Sequence, residues 1–256
     1  MNGLRHILAS LLTVAALLTA AADVPLRNET LNYNVFYKWG LIHKQAGSAV
    51  FNVARHDNHF YATVTAKSAK WADRFYHLRD TFHCKMSVID LAPVSYERIA
   101  HEDGKYSRDQ LLFKRSGNTF SATATRWRKG KKKNAEMRVA TLNLKAEGMT
   151  VDLLTSFYYL RSLPFATMSP GTKKRVNIFS GKQKELLDFT YTGLSELKID
   201  GVSHKTYKVI FTFTSDGRKE TSDPIEAWIS TDGRHIPLKL VGKLKIGQVQ
   251  CIYAGD

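Results

Sequence analysis

The chain has 256 residues, a length that suits one large β domain or two small ones. Lys and Arg outnumber Asp and Glu by 38 to 23, and the net charge of +15 either favours contact with anionic surfaces or only keeps a β protein soluble. The two cysteines, Cys84 and Cys251, do not have the spacing of a zinc site. We interpret them as unpaired buried residues, with a single disulfide as the alternative.

The N-terminus has the three-part layout of a secretory signal peptide. Arg5 precedes an apolar run over 7–22 that ends in three alanines, Ala20 to Ala22. This run is shorter than the roughly 20 residues that span a bilayer as a helix, so we predict cleavage near Ala22 rather than a membrane anchor. The remaining chain is then exported, to the periplasm or beyond. That compartment argues against nucleic acid as the anionic partner.

Alternation of apolar and polar residues predicts strands along most of the chain, beginning with Leu31–Trp39. The further strand-like runs lie at 48–54, 60–67, 80–89, 94–101, 106–114, 119–127, 135–142, 173–179, 184–199, 205–214, 225–230, 237–245 and 248–253. Asp-Gly pairs that begin at Asp103, Asp200, Asp216 and Asp232 suit tight turns between them. Short turns without intervening helices predict an antiparallel meander.

One segment near the middle has helical spacing instead. We predict an amphipathic helix over Val151–Arg161, with Thr150 as N-cap and Asp152 in the first turn. Pro164 prevents its continuation. The aromatic residues of this helix either form core or line a pocket against the sheet, and core is the more common outcome. The predicted fold is mainly β: one domain over 23–256, in which a large curved antiparallel sheet, an open or half barrel, surrounds this central helix.

Sequence patterns of catalysis are missing, so an enzyme is the less favoured interpretation. The chain has no G-x-S-x-G elbow, no H-E-x-x-H helix, no P-loop and no G-x-G-x-x-G fingerprint, and we expect neither a cofactor nor a metal site. If the protein is an enzyme acting on envelope polymers, the polar pairs to test are Asp152 with Arg161 and Asp80 with His83.

A basic cluster occupies residues 126–133, where six cations and one tryptophan fall within eight residues. We predict contact with an anionic membrane or glycan through a hairpin tip formed by these residues. The alternative is a solvated turn whose like charges keep sheet edges from pairing. The residues of this basic cluster are Arg126, Trp127, Arg128, Lys129, Lys131, Lys132 and Lys133.

Three motifs carry a resemblance to a known family. In chain order they are Leu31-x-Tyr33-x-Val35-x-Tyr37-x-Trp39-Gly40 with Ala46-Gly47-x-Ala49, then Asp152-Leu-Leu-Thr-Ser-Phe-Tyr-Tyr-Leu-Arg161, and finally Trp228-Ile-Ser-x-Asp232 with Pro237-Leu-Lys239 and Gly247. In these motifs the chain resembles the exported bacterial family catalogued as domain of unknown function 3108, with Thr155 where that family's pattern has Ser. The resemblance implies export and one continuous domain, but no reaction. A curved sheet around one helix also looks like the periplasmic lipoprotein carriers, an analogy of fold alone.

These observations lead to a hypothesis of a non-enzymatic envelope protein that binds an amphiphile or an anionic glycan in a groove between sheet and helix. The alternatives are an adaptor of an envelope assembly, docking through the basic cluster, and the enzyme considered above. The partners expected are a lipid, a glycan or an envelope protein, with peripheral membrane contact and no nucleic acid. Oligomeric state and ligand identity stay open. The predicted ligand-binding residues are Asp152, Phe157, Tyr158, Arg161 and Trp228.

Overall fold

The computed structural model of the protein describes residues 26–132, 134–215 and 221–256. The predicted signal peptide over 1–22, Lys133 of the basic cluster and the Asp216–Gly217 turn lie outside these ranges. Among the described residues, no helix has the length and apolar character needed to cross a bilayer.

Fifteen strands form a single sheet in the described residues. Those before the helix are β1 Glu29–Trp39, β2 Ile42–His56, β3 His59–Ser68, β4 Leu78–Ser87, β5 Pro93–Glu102, β6 Lys105–Ser116, β7 Thr119–Lys129, β8 Arg138–Glu147 and β9 Thr150–Val151. The helix α1 spans Leu153–Arg161. The strands after it are β10 Lys173–Phe179, β11 Lys184–Ile199, β12 Val202–Ser215, β13 Ile225–Ser230, β14 Pro237–Lys243 and β15 Gln248–Gly255.

The first and last strands pair at the centre of the sheet. Its order is β8-β7-β6-β5-β4-β3-β2-β1-β15-β14-β13-β12-β11-β10-β9, and every neighbouring pair is antiparallel except β9 and β10. The two ends approach each other, because the Asn177 side-chain amide on β10 donates to the Glu147 carbonyl on β8 at 2.8 Å. The sheet is therefore a nearly closed, barrel-like structure. This confirms the predicted mainly β fold with one helix, and the sheet closes further than a half barrel.

The start of the helix differs from the prediction by two residues. Val151 pairs with Ile178 of β10, so the chain is still extended there, and the helix begins at Leu153. The N-cap is Asp152 rather than Thr150, since the Asp152 carboxylate accepts the backbone N–H groups of Leu154 and Thr155, both at 2.8 Å. A carboxylate in this position satisfies donors that the first helical turn leaves free.

Several strands have different bounds from those predicted, and the start of β2 differs most. β2 begins at Ile42 instead of residue 48, because its long pairing with β1 holds the polar residues after the turn in extended form. β8 begins at Arg138 instead of residue 135, so β7 and β8 are joined by the segment 130–137. The first four residues of the basic cluster therefore lie at the end of β7, and its other described residues lie in the connection of this hairpin. The pairing of β11 with β12 has an irregularity between Tyr191 and Gly193.

The helix lies inside the sheet and fills its interior. Tyr158 and Thr155 are fully buried, and the Phe157 ring stacks on Phe51 of β2 with centroids 4.4 Å apart. Core side chains from both halves of the sheet surround the helix. Burying an apolar helix within a curved sheet covers the sheet's inner face, which would otherwise be exposed to water.

Candidate functional site: a basic cavity at the mouth of the barrel

One edge of the sheet opens into a cavity of about 740 Å³. In an antiparallel meander the chain reverses at alternate edges, so the ends of β5 and β7 and the starts of β6 and β8 meet at one edge. We call this space the mouth cavity. Its charged lining includes Arg98, Glu102, Lys105, Arg128, Lys132 and Arg138.

Two arginines that line the cavity point inward. Arg128 of β7 lies directly opposite Ser107 of β6 and Arg138 of β8, and residues opposite each other across a pair share one face. Phe120, at an even spacing from Arg128 on the same strand, is buried in the core. Because side chains alternate along a strand, Arg128 and Arg138 point to the inside of the sheet.

A buried carboxylate holds Arg128, one of the residues that line the mouth cavity. Asp109 of β6 is buried, and its Oδ1 accepts from Arg126 Nε at 3.1 Å and from Arg128 at 2.5 Å. Gly181, in the β10–β11 turn, lies against it, since a Cβ at Gly181 would be 3.2 Å from Asp109 Cβ. Charged hydrogen bonds of this kind fix the direction of the guanidinium groups.

A second buried carboxylate holds Arg98. Asp80 Oδ2 accepts from Arg98 Nε at 3.1 Å and from the terminal nitrogen at 2.6 Å, and Arg98 also pairs with Glu102. Burial raises the pKa of Asp80, against the lowering effect of Arg98. For Arg98 itself burial lowers the pKa, but the hydrogen bonds and charges of Asp80 and Glu102 outweigh burial and the pKa is raised. Asp80 Oδ1 is buried and has no hydrogen-bond partner among the described residues.

The mouth cavity keeps a positive charge after these pairs are formed. Six cationic side chains and two carboxylates, Glu102 and Glu136, line it. Arg98 and Arg128 have carboxylate partners. Within the part of the chain that the structure describes, no carboxylate lies within ion-pair distance of the other four, and their charges are free to meet an anion. Those four are Lys105, Lys129, Lys132 and Arg138.

The predicted basic cluster is divided between different surfaces. Arg126 and Arg128 face inward on Asp109, whereas Trp127 faces outward beneath the Arg108 guanidinium, 4.7 Å from its ring centroid. Lys129 and Lys132 line the mouth cavity, and Lys131 contacts Gly104. Contact of these residues with an anionic surface stays a prediction.

Sequence reasoning did not find the other half of the cavity. Arg98, Lys105 and Arg138 come from three further strands, and nothing in their local sequence sets them apart from surface cations. Their positions at the ends of strands, in phase with buried residues such as Ala100 on β5, are a signal that could have placed them on the inner face.

The predicted ligand-binding residues of the helix are deeply buried. Asp152, Tyr158 and Arg161 each have 0% exposure. Arg161 pairs with Glu29 of β1 at 2.6 Å and donates to the Arg234 carbonyl at 2.9 Å. Burial raises the pKa of Asp152 to about 6, although its hydrogen bonds to Thr155 and the backbone lower it. These contacts describe a helix cap and a buried ion pair, and ligand binding at these residues stays a prediction.

The other two predicted residues lie apart from one another. Phe157 is packed between Phe51 and Tyr33 in the interior. Trp228 of β13 lies opposite Lys208 and Lys239 on the neighbouring strands, with ammonium groups 4.9 and 5.9 Å from its ring centroid. The five residues therefore do not line one groove.

The two pairs considered for an enzyme are also separated. Asp152 and Arg161 lie at opposite ends of α1, about 13 Å apart along the axis at 1.5 Å per residue. Asp80 faces inward to Arg98, whereas His83 is exposed and contacts Thr63 Oγ1 at 3.2 Å. Within the described ranges, no three His, Cys, Asp or Glu side chains are grouped as ligands of a metal ion.

Comparisons with known proteins agree with the fold. The model of the family described as "Protein of unknown function (DUF3108)" matches residues 32–251. A beta-barrel-like protein of domain of unknown function DUF1849 from Brucella abortus has a TM-score of 0.60 at 9% identity, with 90% of this chain and 97% of that chain covered. A putative lipoprotein from Parabacteroides distasonis has a TM-score of 0.32 at 8% identity, again with 90% of this chain and 97% of that chain covered. No curated protein matches significantly. At 9% identity, the Brucella structure shows a shared fold and nothing more.

Proposed function

This chain belongs to the DUF3108 family of proteins of unknown function, and from that premise we propose that it is a non-enzymatic envelope protein that binds the anionic group of an amphiphile or glycan in its mouth cavity. The ligand class is the one that the sequence predicts. The site is different, since the strand ends rather than the helix supply the cavity. The single observation that carries the proposal is the set of unpaired cations around a cavity of about 740 Å³.

The size and chemistry of the mouth cavity suit a polar head rather than an apolar tail. Ligand cavities commonly measure about 300–1,000 Å³, so a phospholipid head group or one or two acidic sugars would fit. Arg138 and Arg128 supply planar guanidinium groups, which bind phosphate and carboxylate through paired hydrogen bonds.

Buried carboxylates give the cavity a fixed shape. Asp109 holds Arg128, and Asp80 holds Arg98, by hydrogen bonds before any ligand arrives. Fixed donors lose little conformational entropy on binding, which favours affinity.

Calorimetric titration of the purified protein tests this proposal. The probes are short-chain phosphatidylglycerol below its micelle concentration and an oligogalacturonate, with short-chain phosphatidylcholine as the uncharged control. We expect saturable binding of one anionic probe, and a Lys105→Gln/Arg138→Gln variant to bind at least about tenfold more weakly, because a charged hydrogen bond contributes about 1.5–3 kcal/mol. Lys145→Gln, on the outer face of β8, is the matched control and should bind normally.

Two outcomes would overturn the proposal. The first is the absence of saturable binding of either anionic probe. The second is equal affinity in the wild-type protein and the Lys105→Gln/Arg138→Gln variant. Preference between the two anionic probes would assign the ligand to lipids or to glycans.

The compartment is part of the same proposal and rests on the N-terminal pattern over 1–22. Mass spectrometry of the protein isolated from its native host should give a chain that begins close to Asp23. A chain that retains residues 1–22 in the cytosol would contradict export.

A further inference from the structure

Two neighbouring turns at the mouth edge of the sheet expose large apolar side chains. The β1–β2 turn carries Trp39, which is 55% exposed, and Leu41, which is fully exposed. The β14–β15 connection carries Leu244 and Ile246, the latter 61% exposed. Because β1 pairs with β15, the two turns lie side by side. We call these four residues the tip cluster.

The two turns are held together as one surface. The Tyr37 hydroxyl donates to the Ile246 carbonyl at 3.2 Å. Gly247 packs so closely against β1 that a Cβ at this position would lie 2.4 Å from the Lys38 carbonyl oxygen, and its φ of +76° favours glycine. The exposed apolar groups are thus presented in a fixed arrangement.

A third connection adds aromatic side chains at the same edge. Phe75 and Tyr76, between β3 and β4, are both exposed. Trp71 attaches this connection to β2, since its Nε1 donates to the Gln45 carbonyl at 2.7 Å and Lys44 Nζ lies 4.5 Å from its ring centroid. A cluster of exposed apolar side chains marks an interaction site, whereas single exposed apolar residues scattered over a surface do not.

The two turns that carry the tip cluster have charges of one sign. The sequence contains no Asp or Glu between Glu29 and Asp57, and none between Asp232 and Asp256. Both turns therefore carry only basic charge. The lysines nearest the tip cluster are Lys38, Lys44, Lys243 and Lys245.

We propose that the tip cluster docks on the surface of an anionic phospholipid bilayer. Trp39 and the aliphatic tips would enter the head-group region, and the lysines would remain at the phosphates, the arrangement that tryptophan and lysine favour at membrane interfaces. A second copy of this chain fits less well, because a symmetric contact between two tip clusters would bring lysines against lysines.

Docking in this orientation would turn the mouth cavity toward the head groups, since the two features share one edge of the sheet. The inference does not rest on the proposed function of that cavity. The tip cluster and the mouth cavity are formed by different residues, so each can be altered alone.

Vesicle co-sedimentation with the purified protein tests the docking. We expect binding to vesicles that contain phosphatidylglycerol, little binding to vesicles of phosphatidylcholine alone, and a blue shift of tryptophan emission that a Trp39→Phe variant loses. A Leu41→Ser/Ile246→Ser variant should bind at least about tenfold more weakly, because two side chains no longer leave water for the membrane. Both residues are exposed, so its thermal unfolding should be unchanged.

The matched control is Leu194→Ser/Val202→Ser, which removes two side chains of similar exposure, 57% and 58%, from β11 and β12. It should bind vesicles normally. Three results would overturn the proposal: equal binding by the tip variant, equal binding to uncharged vesicles, or a concentration-dependent dimer in light scattering that the tip variant abolishes. The last result would assign the surface to a second copy of the chain.

Discussion

Arg128 and Arg138 lie directly opposite each other on β7 and β8, with both side chains on the inner face of the sheet. Only Arg128 has a carboxylate partner, Asp109, among the described residues. Like charges opposite each other on neighbouring strands oppose folding. The pair is therefore a place where an anion would relieve repulsion that the folded chain otherwise retains.

Replacing Arg138 should weaken anion binding without lowering the stability of the fold. We expect Arg138→Gln to leave the free energy of unfolding unchanged or raise it by roughly 0.2–1 kcal/mol, because a like-charge pair is removed. Pyrophosphate should raise the melting temperature of the wild-type protein more than that of this variant, since a ligand stabilises the state that binds it. Urea and thermal unfolding measure both effects. Arg126→Gln is the contrasting variant and should destabilise the protein, because buried Asp109 loses a partner. An Arg138→Gln variant less stable than Arg126→Gln would contradict this account.

The buried pair of Arg161 and Glu29 should matter strongly for stability. Arg161→Met leaves Glu29 buried with only Arg234 beside it, and breaking such a pair costs about 3–5 kcal/mol. A Glu29→Met/Arg161→Met double variant should recover part of that loss, since no lone charge remains. Urea unfolding provides the measurement. As control, Arg175→Gln breaks the exposed pair with Asp188 and should change stability by less than about 0.5 kcal/mol. An equal loss from both single variants would be inconsistent with a buried pair.

The N-cap carboxylate predicts a pH dependence of stability. Because burial raises the pKa of Asp152 from 3.8 to about 6, the folded state holds the proton between these values while the unfolded state has lost it. Stability from this group is therefore present below pH 4 and is lost as pH rises to about 6, by about 3 kcal/mol at 1.36 kcal/mol per pKa unit. Asp152→Asn keeps an oxygen acceptor for the helix N–H groups and should remove this loss.

Two other carboxylates also make stability depend on pH. Asp80, whose pKa is also raised by burial, acts in the same direction. Asp256 acts in the opposite direction, since hydrogen bonding to Arg234 lowers its pKa to about 2 and its contribution disappears only in acid below pH 4. Comparing urea midpoints at pH 4.5 and 7 for wild type and Asp152→Asn isolates the cap. A wild-type pH slope that persists in the variant would assign the effect to other groups.

Both thiols should resist modification in the folded protein. Burial raises the pKa of the Cys84 thiol well above its usual value, and burial raises that of Cys251 to about 11. The thiolate is the reactive form, so an aromatic disulfide reagent at pH 8 should label neither cysteine until urea unfolds the chain, and then both. Rapid labelling of the folded protein would contradict the burial of these groups. Failure to label after unfolding without reductant would reveal a disulfide in place of the two free thiols of the structure.

Much of the fold follows from local pattern. Leu31 and Tyr33 alternate with polar residues, and both are buried in the structure, as their spacing predicts. The helical spacing around Tyr158 correctly predicts the one helix of the described chain that is longer than a single turn. Each of these features depends on residues within a few positions of each other, so it can be predicted from the sequence alone.

The helix start and the candidate site both depend on pairing between distant segments. Thr150 and Asp152 both suit an N-cap, and only the parallel pairing of Val151 with Ile178 decides that the helix starts after Asp152. Arg98 and Arg138 are 40 positions apart and line the same cavity, because β5, β6, β7 and β8 lie side by side.

By itself, the sequence determined the strand-rich class, the helix, the positive charge and the family motifs, because alternation and composition are properties of neighbouring residues. Only the tertiary structure decided which cations face inward and which of these have no carboxylate partner. It also placed the apolar turns and these cations at the same edge of the sheet. The physical reason is that a side chain's partner and exposure depend on strand order and on the closure of the sheet. Both are set by hydrogen bonds between residues far apart in the chain.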